Sequence, residues 1–246
     1  MIKSIMTLIL AIASMQLSAQ QLDGAWKLVA ENGQTVSDEE HIKIIQEGYY
    51  AVAARKLPAG EFIHTFGGPL EVKENSYLEQ YDFHTASPDK VGTMQVYQSS
   101  MNGNRMTITS QGKSQTWEKL AENADDLTGL WVFTGRAGGE GGEVRRSTPG
   151  ARRTVKILSG GRFQWIAFNS ETKQFSGSGG GTYSANDGNY TENILFFSRD
   201  DKRVGASLGF NYEVKDGEWH HSGNSSTGSP IYEIWSNYWK AYKPNK

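Results

Sequence analysis

The chain has 246 residues, with 25 Lys and Arg against 27 Asp and Glu, a formal charge of −2, 28 Gly and no Cys. Without Cys there is no disulfide, no thiolate-ligated metal centre and no thiolate nucleophile. A charge this close to zero gives no overall field for a phosphate backbone, so no nucleic-acid partner is expected.

In chain order, the first segment reads as an address. Lys3, the apolar run Ile5–Met15 and the small residues Ser18 and Ala19 match a cleavable export leader, residues 1–19. The run is shorter than the ~20 residues a spanning helix needs. No later stretch is apolar enough to span, so the expected mature protein is secreted or periplasmic, without a stable membrane anchor.

Beyond the leader the chain repeats itself. A shift of 113 positions pairs Lys43-Ile44 with Lys156-Ile157, Gly48 with Gly161, Phe62 with Phe175 and Gly67-Gly68 with Gly180-Gly181. The same shift pairs Tyr77, Glu79 and Phe83 with Tyr190, Glu192 and Phe196, and Val91-Gly92 with Val204-Gly205, making eleven identities without a gap. The halves open on Leu22-Asp-Gly24-Ala-Trp26 and Leu127-Thr-Gly129-Leu-Trp131, an offset of only 105, so the second copy carries 8 extra residues. They fall in the Gly- and Arg-rich stretch Gly135–Arg153. The expected domains are therefore 22–121 and 127–244, joined by the polar linker Ala121–Asp126.

Each copy alternates short apolar and aromatic runs with turn signals. In the first, strands are expected at Ala25–Ala30, His41–Gln46, Tyr49–Lys56, Glu61–Val72, Tyr77–His84, Val91–Ser99, Arg105–Ser110 and Ser114–Leu120. Glu47-Gly48 and Asn102-Gly103 mark hairpins, and Gly67-Gly68 marks a bulge or bend. The aromatic content of 11% suits pleated sheet. The reading is all-β, with two tandem up-and-down antiparallel barrels of about eight strands each, whose closure removes exposed edges.

Gly24-x-Trp26 on the first strand, Lys43-Ile44, Gly67-Gly68 and Tyr77-x-Glu79, with their second-copy counterparts, resemble the lipocalin/calycin group. More specifically, the pattern resembles a secreted bacterial lipocalin-like family of unknown function. The chain departs from typical lipocalins in its two copies, its lack of a disulfide and its lack of a last-strand Arg to stack on the first-strand Trp. The resemblance implies a barrel with an internal cavity and no particular reaction.

Residues two apart on a strand share a face, so Tyr77, Glu79, Tyr81 and Phe83 are expected to point inward together. Tyr190, Glu192, Ile194 and Phe196 repeat the arrangement. An inward Glu is costly unless paired, and Lys43 and Lys156 are the natural partners. Together with His64, flagged between Phe62 and Phe66, these form the candidate ligand-binding set: Tyr77, Glu79, Tyr81, His64, Tyr190, Glu192, Lys43 and Lys156. Two interpretations stay open, a structural network or polar anchors for a ligand. Gly205-Ala-Ser207-Leu-Gly209 matches a nucleophile-elbow pattern but lacks the helix that such an elbow needs. His220 and His221 face opposite sides of a strand and cannot chelate together, and no metal site or cofactor is expected. Arg145-Arg146 and Arg152-Arg153 suit an exposed loop, and the C-terminal Trp and Tyr residues suit core packing or, in an exposed subset, sugar stacking. The expected function is binding of a small apolar or amphipathic ligand. The alternatives are an isomerase, lyase or hydrolase using a cavity Glu and Tyr, and a carbohydrate-binding accessory protein.

Overall fold

The computed structural model describes residues 22–73, 76–120, 124–137, 142–225 and 227–242. The leader 1–19, the Glu74-Asn75 turn and parts of the expected linker and insertion lie outside these residues.

The first copy forms β1 (Gly24–Glu31), β2 (Gln34–Thr35), β3 (Glu39–Gln46), β4 (Tyr49–Lys56), β5 (Phe62–Lys73), β6 (Ser76–Gln80), β7 (Phe83–His84), β8 (Met94–Asn102), β9 (Arg105–Ser110) and β10 (Lys113–Lys119). The second forms β11 (Gly129–Ala137), β12 (Arg145–Arg146), β13 (Arg152–Ser159), β14 (Arg162–Asn169), β15 (Gln174–Asn186), β16 (Asn189–Phe197), β17 (Ser207–Lys215), β18 (Glu218–Asn224) and β19 (Pro230–Asn237). Leaving aside the two-residue strands, each copy is a closed eight-stranded antiparallel barrel. Pairing of β1 with β10 closes the first, and pairing of β11 with β19 closes the second.

Turn chemistry sets the hairpin register. Asn32-Gly33, Glu47-Gly48, Gln111-Gly112, Gly160-Gly161, Asp187-Gly188 and Asp216-Gly217 all hold both residues at positive φ. Such turns match the right-handed strand twist. The Asn102-Gly103 signal shifts by one residue: Asn102 still pairs with Arg105, so the turn is Gly103-Asn104. The first-strand Trp repeats one contact in both copies, Trp26 Nε1 donating to the Leu22 carbonyl and Trp131 Nε1 to that of Leu127, each at 2.9 Å. Opposite Trp26, Lys119 sets its ammonium 5.6 Å from the ring centroid.

Each barrel has its own core, and a third apolar cluster lies between the barrels. It joins the outward-facing Ile44, Tyr49, Ala51 and Phe83 to Leu130, Val132, Val155, Ile157, Ile166 and Phe168. Tyr49 to Ala54 is buried without a break because one face meets the barrel core and the other meets the second barrel. Buried polar bonds stitch the joint: Gln164 Nε2 donates to Thr65 Oγ1 at 2.7 Å and to Ser178 Oγ at 3.0 Å, and Arg153 donates to Asp82 at 2.6 Å. Equivalent residues meet one another. Phe62 stacks on Phe175 with centroids 6.4 Å apart, and Ser159 bonds Gln46 at 2.8 Å. The halves thus pack about a pseudo-twofold axis, as an isologous dimer would.

Two expected faces are corrected by bulges. Arg55 pairs with Phe62 but Ala54 with His64, so Ile63 is an extra residue. Phe62 therefore turns out toward the second barrel, while Phe66 packs against the first core. Likewise Gly180 pairs with Phe196 but Gly181 with Ile194, so Leu195 is extra; Phe196 faces Phe62, and Phe197 packs against the second core. Phe83 also leaves the Tyr77–Glu79–Tyr81 face and packs 5.1 Å from Phe168. The expected Gly-Gly bends have a steric cause. A Cβ at Gly67 would collide with the Tyr50 carbonyl, and one at Gly181 with that of Asn193.

Because the barrels share a buried cluster, they are expected to unfold in one cooperative transition. Phe168→Ala should destabilise the whole chain by about 3–5 kcal/mol, measured by denaturant titration with tryptophan fluorescence from both halves. Two separate transitions, with only the second shifted, would show that the barrels are energetically independent.

Candidate functional site

An ion pair crosses the lumen of each barrel. In the first, Lys43 Nζ on β3 donates to Glu79 Oε1 on β6 at 2.7 Å, and both side chains are 1% exposed. In the second, Lys156 Nζ on β13 donates to Glu192 Oε1 on β16 at 2.8 Å. These strands are not neighbours, so each pair ties opposite walls together. Aromatic rings complete the setting. Lys43 Nζ lies 4.5 Å from the centroid of Trp117, and Lys156 Nζ lies 4.8 Å from Trp219 and 5.1 Å from Trp235. Tyr190 Oη donates to Glu192 at 2.9 Å, and Lys43 Nζ approaches Tyr77 Oη at 3.4 Å. Burial, then the adjacent carboxylate, raises the pKa of both Tyr77 and Tyr190 and keeps these phenols protonated.

The structure thus gathers Lys43, Tyr77 and Glu79 in one lumen, and Lys156, Tyr190 and Glu192 in the other. Tyr81 lies in the first core beside Phe66, with centroids 6.0 Å apart. His64 sits above the first ion pair, 5.7 Å from Phe66 and 5.5 Å from His41, its pKa lowered by burial and then by His41. The elbow-like segment does not assemble. Ser207 opens β17 and is exposed, Asp216 lies in a hairpin turn, and His220 bonds Tyr232 at 2.8 Å. Among the described residues no three His, Asp or Glu side chains group to hold a metal. Of the C-terminal aromatics, Trp219 and Trp235 lie inside the second barrel, Tyr238 lies at the joint, and Trp239 is 37% exposed.

The two lumens differ one layer above the ion pair. In the first barrel Ile108 on β9 stands opposite Gln115 on β10; at the matching register of the second, His221 on β18 stands opposite Glu233 on β19. Trp117 Nε1 donates to Gln115 at 3.3 Å, and Trp235 Nε1 donates to Glu233 at 3.1 Å, which confirms the equivalence. His221 Nδ1 lies 3.3 Å from Glu233 Oε2, and Nε2 is buried without a hydrogen-bond partner. Burial and then Lys156 hold the imidazole below its ordinary 6.5. Burial pushes the Glu233 carboxyl up, but His221, Lys156 and Trp235 outweigh it and hold the group below its ordinary 4.5.

This pair leaves little local signal in the sequence. β18 still matches β9 at an offset of 113, but β19 matches β10 at 118, because the β18–β19 connection is longer. Ile108→His221 keeps the offset of 113, and only with β19 realigned does Gln115→Glu233 join it as a second change from apolar or neutral to ionisable.

A cavity of about 490 Å³ opens above these residues. Its floor is Lys156, Glu192, His221 and Glu233; its wall is Trp165, Ile194, Phe197, Leu208, Phe210 and Ile231; Lys202 and Arg203 stand at its mouth. A second cavity of about 460 Å³ shares Thr154, Ala167, Glu233 and Trp235 with the first. Its lining includes Arg136, Arg152 and Arg199, with Ser147–Pro149 from the inserted stretch. Ser147–Pro149 of the inserted stretch thus form part of the open end of the second barrel. Arg145-Arg146 contributes elsewhere, through a two-pronged Arg146–Glu218 contact at 2.8 and 3.0 Å.

Fold and site define a two-barrel all-β protein whose second lumen holds an open, polar-floored cavity. No protein-family model and no curated protein matches the chain. Among solved structures it is similar to an uncharacterised protein from Bacteroides eggerthii DSM 20697, with a TM-score of 0.32, 11% identity, and 39% of this chain and 98% of that chain covered.

Removing one member of a buried pair strands the other charge at a cost of about 3–5 kcal/mol, whereas replacing both with apolar groups is often neutral. Glu79→Leu alone should therefore destabilise the chain strongly, and Lys43→Met/Glu79→Leu should recover most of the loss in urea titrations. Equal losses for the single and double variants would show that the pair itself supplies the stability.

Proposed function

We infer that this is an exported, lipocalin-like protein that takes a small amphipathic molecule into its second barrel. The observation that carries the reading is the division of that cavity, with aromatic and aliphatic walls above a charged floor and a cationic mouth. Its volume of about 490 Å³ lies within the range of small-molecule sites. Burying ligand apolar surface on Trp165, Phe197, Leu208 and Ile231 would supply affinity at roughly 25 cal/mol per Å². The floor groups would fix orientation. Support for the lipocalin-like placement comes from the closed eight-stranded barrels and the Gly-x-Trp that opens each one. Support for export comes from the character of residues 1–19.

The test uses N-phenyl-1-naphthylamine, whose fluorescence rises in apolar surroundings. One equivalent is expected to bind. Ala206→Trp, which fills the mouth, should abolish the signal, and Thr93→Trp at the matching position of the first barrel should leave it unchanged. Binding that survives Ala206→Trp would overturn the assignment to the second barrel. Native mass spectrometry of protein from its own host should then show a small-molecule adduct that is lost in Ala206→Trp.

A further inference from the structure

We propose that the second barrel is an acid–base centre, in which His221, positioned by Glu233, moves a proton on a small weakly acidic substrate held in the cavity. The proposal rests on the ligand-binding reading of that cavity and goes beyond it. It assigns a reaction class, proton transfer within one substrate as in an isomerase or eliminating lyase, to residues outside the Glu and Tyr pair.

The duplication provides an internal control. Both lumens keep the Lys–Glu bridge and its Tyr, which marks that trio as scaffold. At this register the second carries an imidazole where the first has Ile108, and a carboxylate beside that imidazole where the first has Gln115; the first barrel's own His64 and His41 stand on β5 and β3 instead. A buried His in place of Ile gives up apolar packing and leaves Nε2 without a partner, a cost of about 1–3 kcal/mol for an unmet buried polar group. Structural economy alone would have kept the isoleucine.

The hydrogen bonding sets the tautomer. Glu233 is ionised near neutrality and can only accept, so the His221 nitrogen facing it, Nδ1, carries the proton. The lone pair then lies on Nε2, the nitrogen with no protein partner. Phe210, Trp219 and Tyr190 pack around the ring at 4.3, 5.3 and 5.6 Å and hold its plane. The charged and titratable groups around it are Lys156 from β13, Tyr190 and Glu192 from β16 and Glu233 from β19. In the reaction, Nε2 takes a proton from a substrate C–H and the bonding electrons stay on the substrate. The imidazolium is stabilised by Glu233, then returns the proton to another atom of the same molecule, so no co-reactant is consumed.

The experiment uses 5-nitrobenzisoxazole, a compact probe of general bases. Loss of its C3 proton forms the nitrile, breaks the N–O bond and releases a coloured phenolate. The full-length mature protein at pH 7 is expected to open the ring faster than an equal concentration of free imidazole, by about 10²-fold or more. His221→Ile and His221→Gln should both lose that advantage, whereas His220→Gln, on the outer face, should keep it. Burial and Lys156 hold the imidazole pKa below its ordinary value, so the base form predominates at pH 7 and the rate should fall as pH drops through that pKa. Glu233→Gln removes a charge that raises the imidazole pKa and should move this midpoint to lower pH, a shift that a purely structural Glu233 would not produce. Binding of the unreactive analogue 6-nitrobenzotriazole, followed by tryptophan quenching, separates the two claims. Binding without ring opening, or ring opening that survives both His221 variants, overturns the acid–base proposal alone. No binding overturns the ligand-binding reading with it. Near-UV circular dichroism identifies a variant that has not folded, and the remaining His221 variant then decides.

Discussion

The structure depends on a charge that has to be buried in a closed barrel. Each lumen is lined with Trp, Tyr and aliphatic side chains, and into each the chain sends a carboxylate at the same repeat position, Glu79 or Glu192. A lone carboxylate there would be untenable, so a lysine from the far wall must meet it, and it does at 2.7 and 2.8 Å. That requirement ties β3 to β6 and β13 to β16 across the interior. It also fixes register, because a one-residue slip of either strand would turn its charge out of the lumen and leave the partner alone. The repeated bridge is the frame on which the two copies diverged.

Divergence then followed position relative to the joint between the barrels. The faces carrying Ile44, Tyr49 and Ala51 in one copy and Val155, Ile157 and Ile166 in the other are committed to each other. The inserted stretch divides its contacts: Ser147–Pro149 line the mouth of the second barrel, while Arg153 at its end bonds Asp82 across the joint. Two ionisable residues were placed just inside that mouth. One copy thus remains close to scaffold while the other acquires an asymmetric chemical environment, an arrangement open to any fused pair whose halves support one another.

Much of this was legible in the residues, for identifiable reasons. The hairpins at Glu47-Gly48 and Asp216-Gly217 could be read because positive φ leaves few choices of residue, and the Lys–Glu pairing because an inward Glu has few affordable partners. The faces of Phe62, Phe83 and Phe196 were misread. A period-two pattern assumes an unbroken strand; single-residue bulges at Ile63 and Leu195 reverse Phe62 and Phe196, and the break between β6 and β7 reverses Phe83. The joint left a signal of its own in Tyr49-Tyr-Ala-Val-Ala-Ala54, apolar on both faces where a solvent-facing barrel strand would alternate. His221 and Glu233 were hidden because their proximity depends on which strands close the barrel and on an offset that changes within the repeat.

The chemistry of the second lumen turns on a neutral imidazole with its proton on Nδ1 and a buried, unpartnered Nε2. Nitrogen-15 NMR of histidine-labelled protein at pH 7 reads both ring nitrogens directly. The signals lost in His221→Gln are expected to be those of a neutral ring protonated at Nδ1, hydrogen-bonded to Glu233 and shifted when 6-nitrobenzotriazole is added. A ring protonated on both nitrogens at pH 7, or one carrying its proton on Nε2, would contradict this assignment.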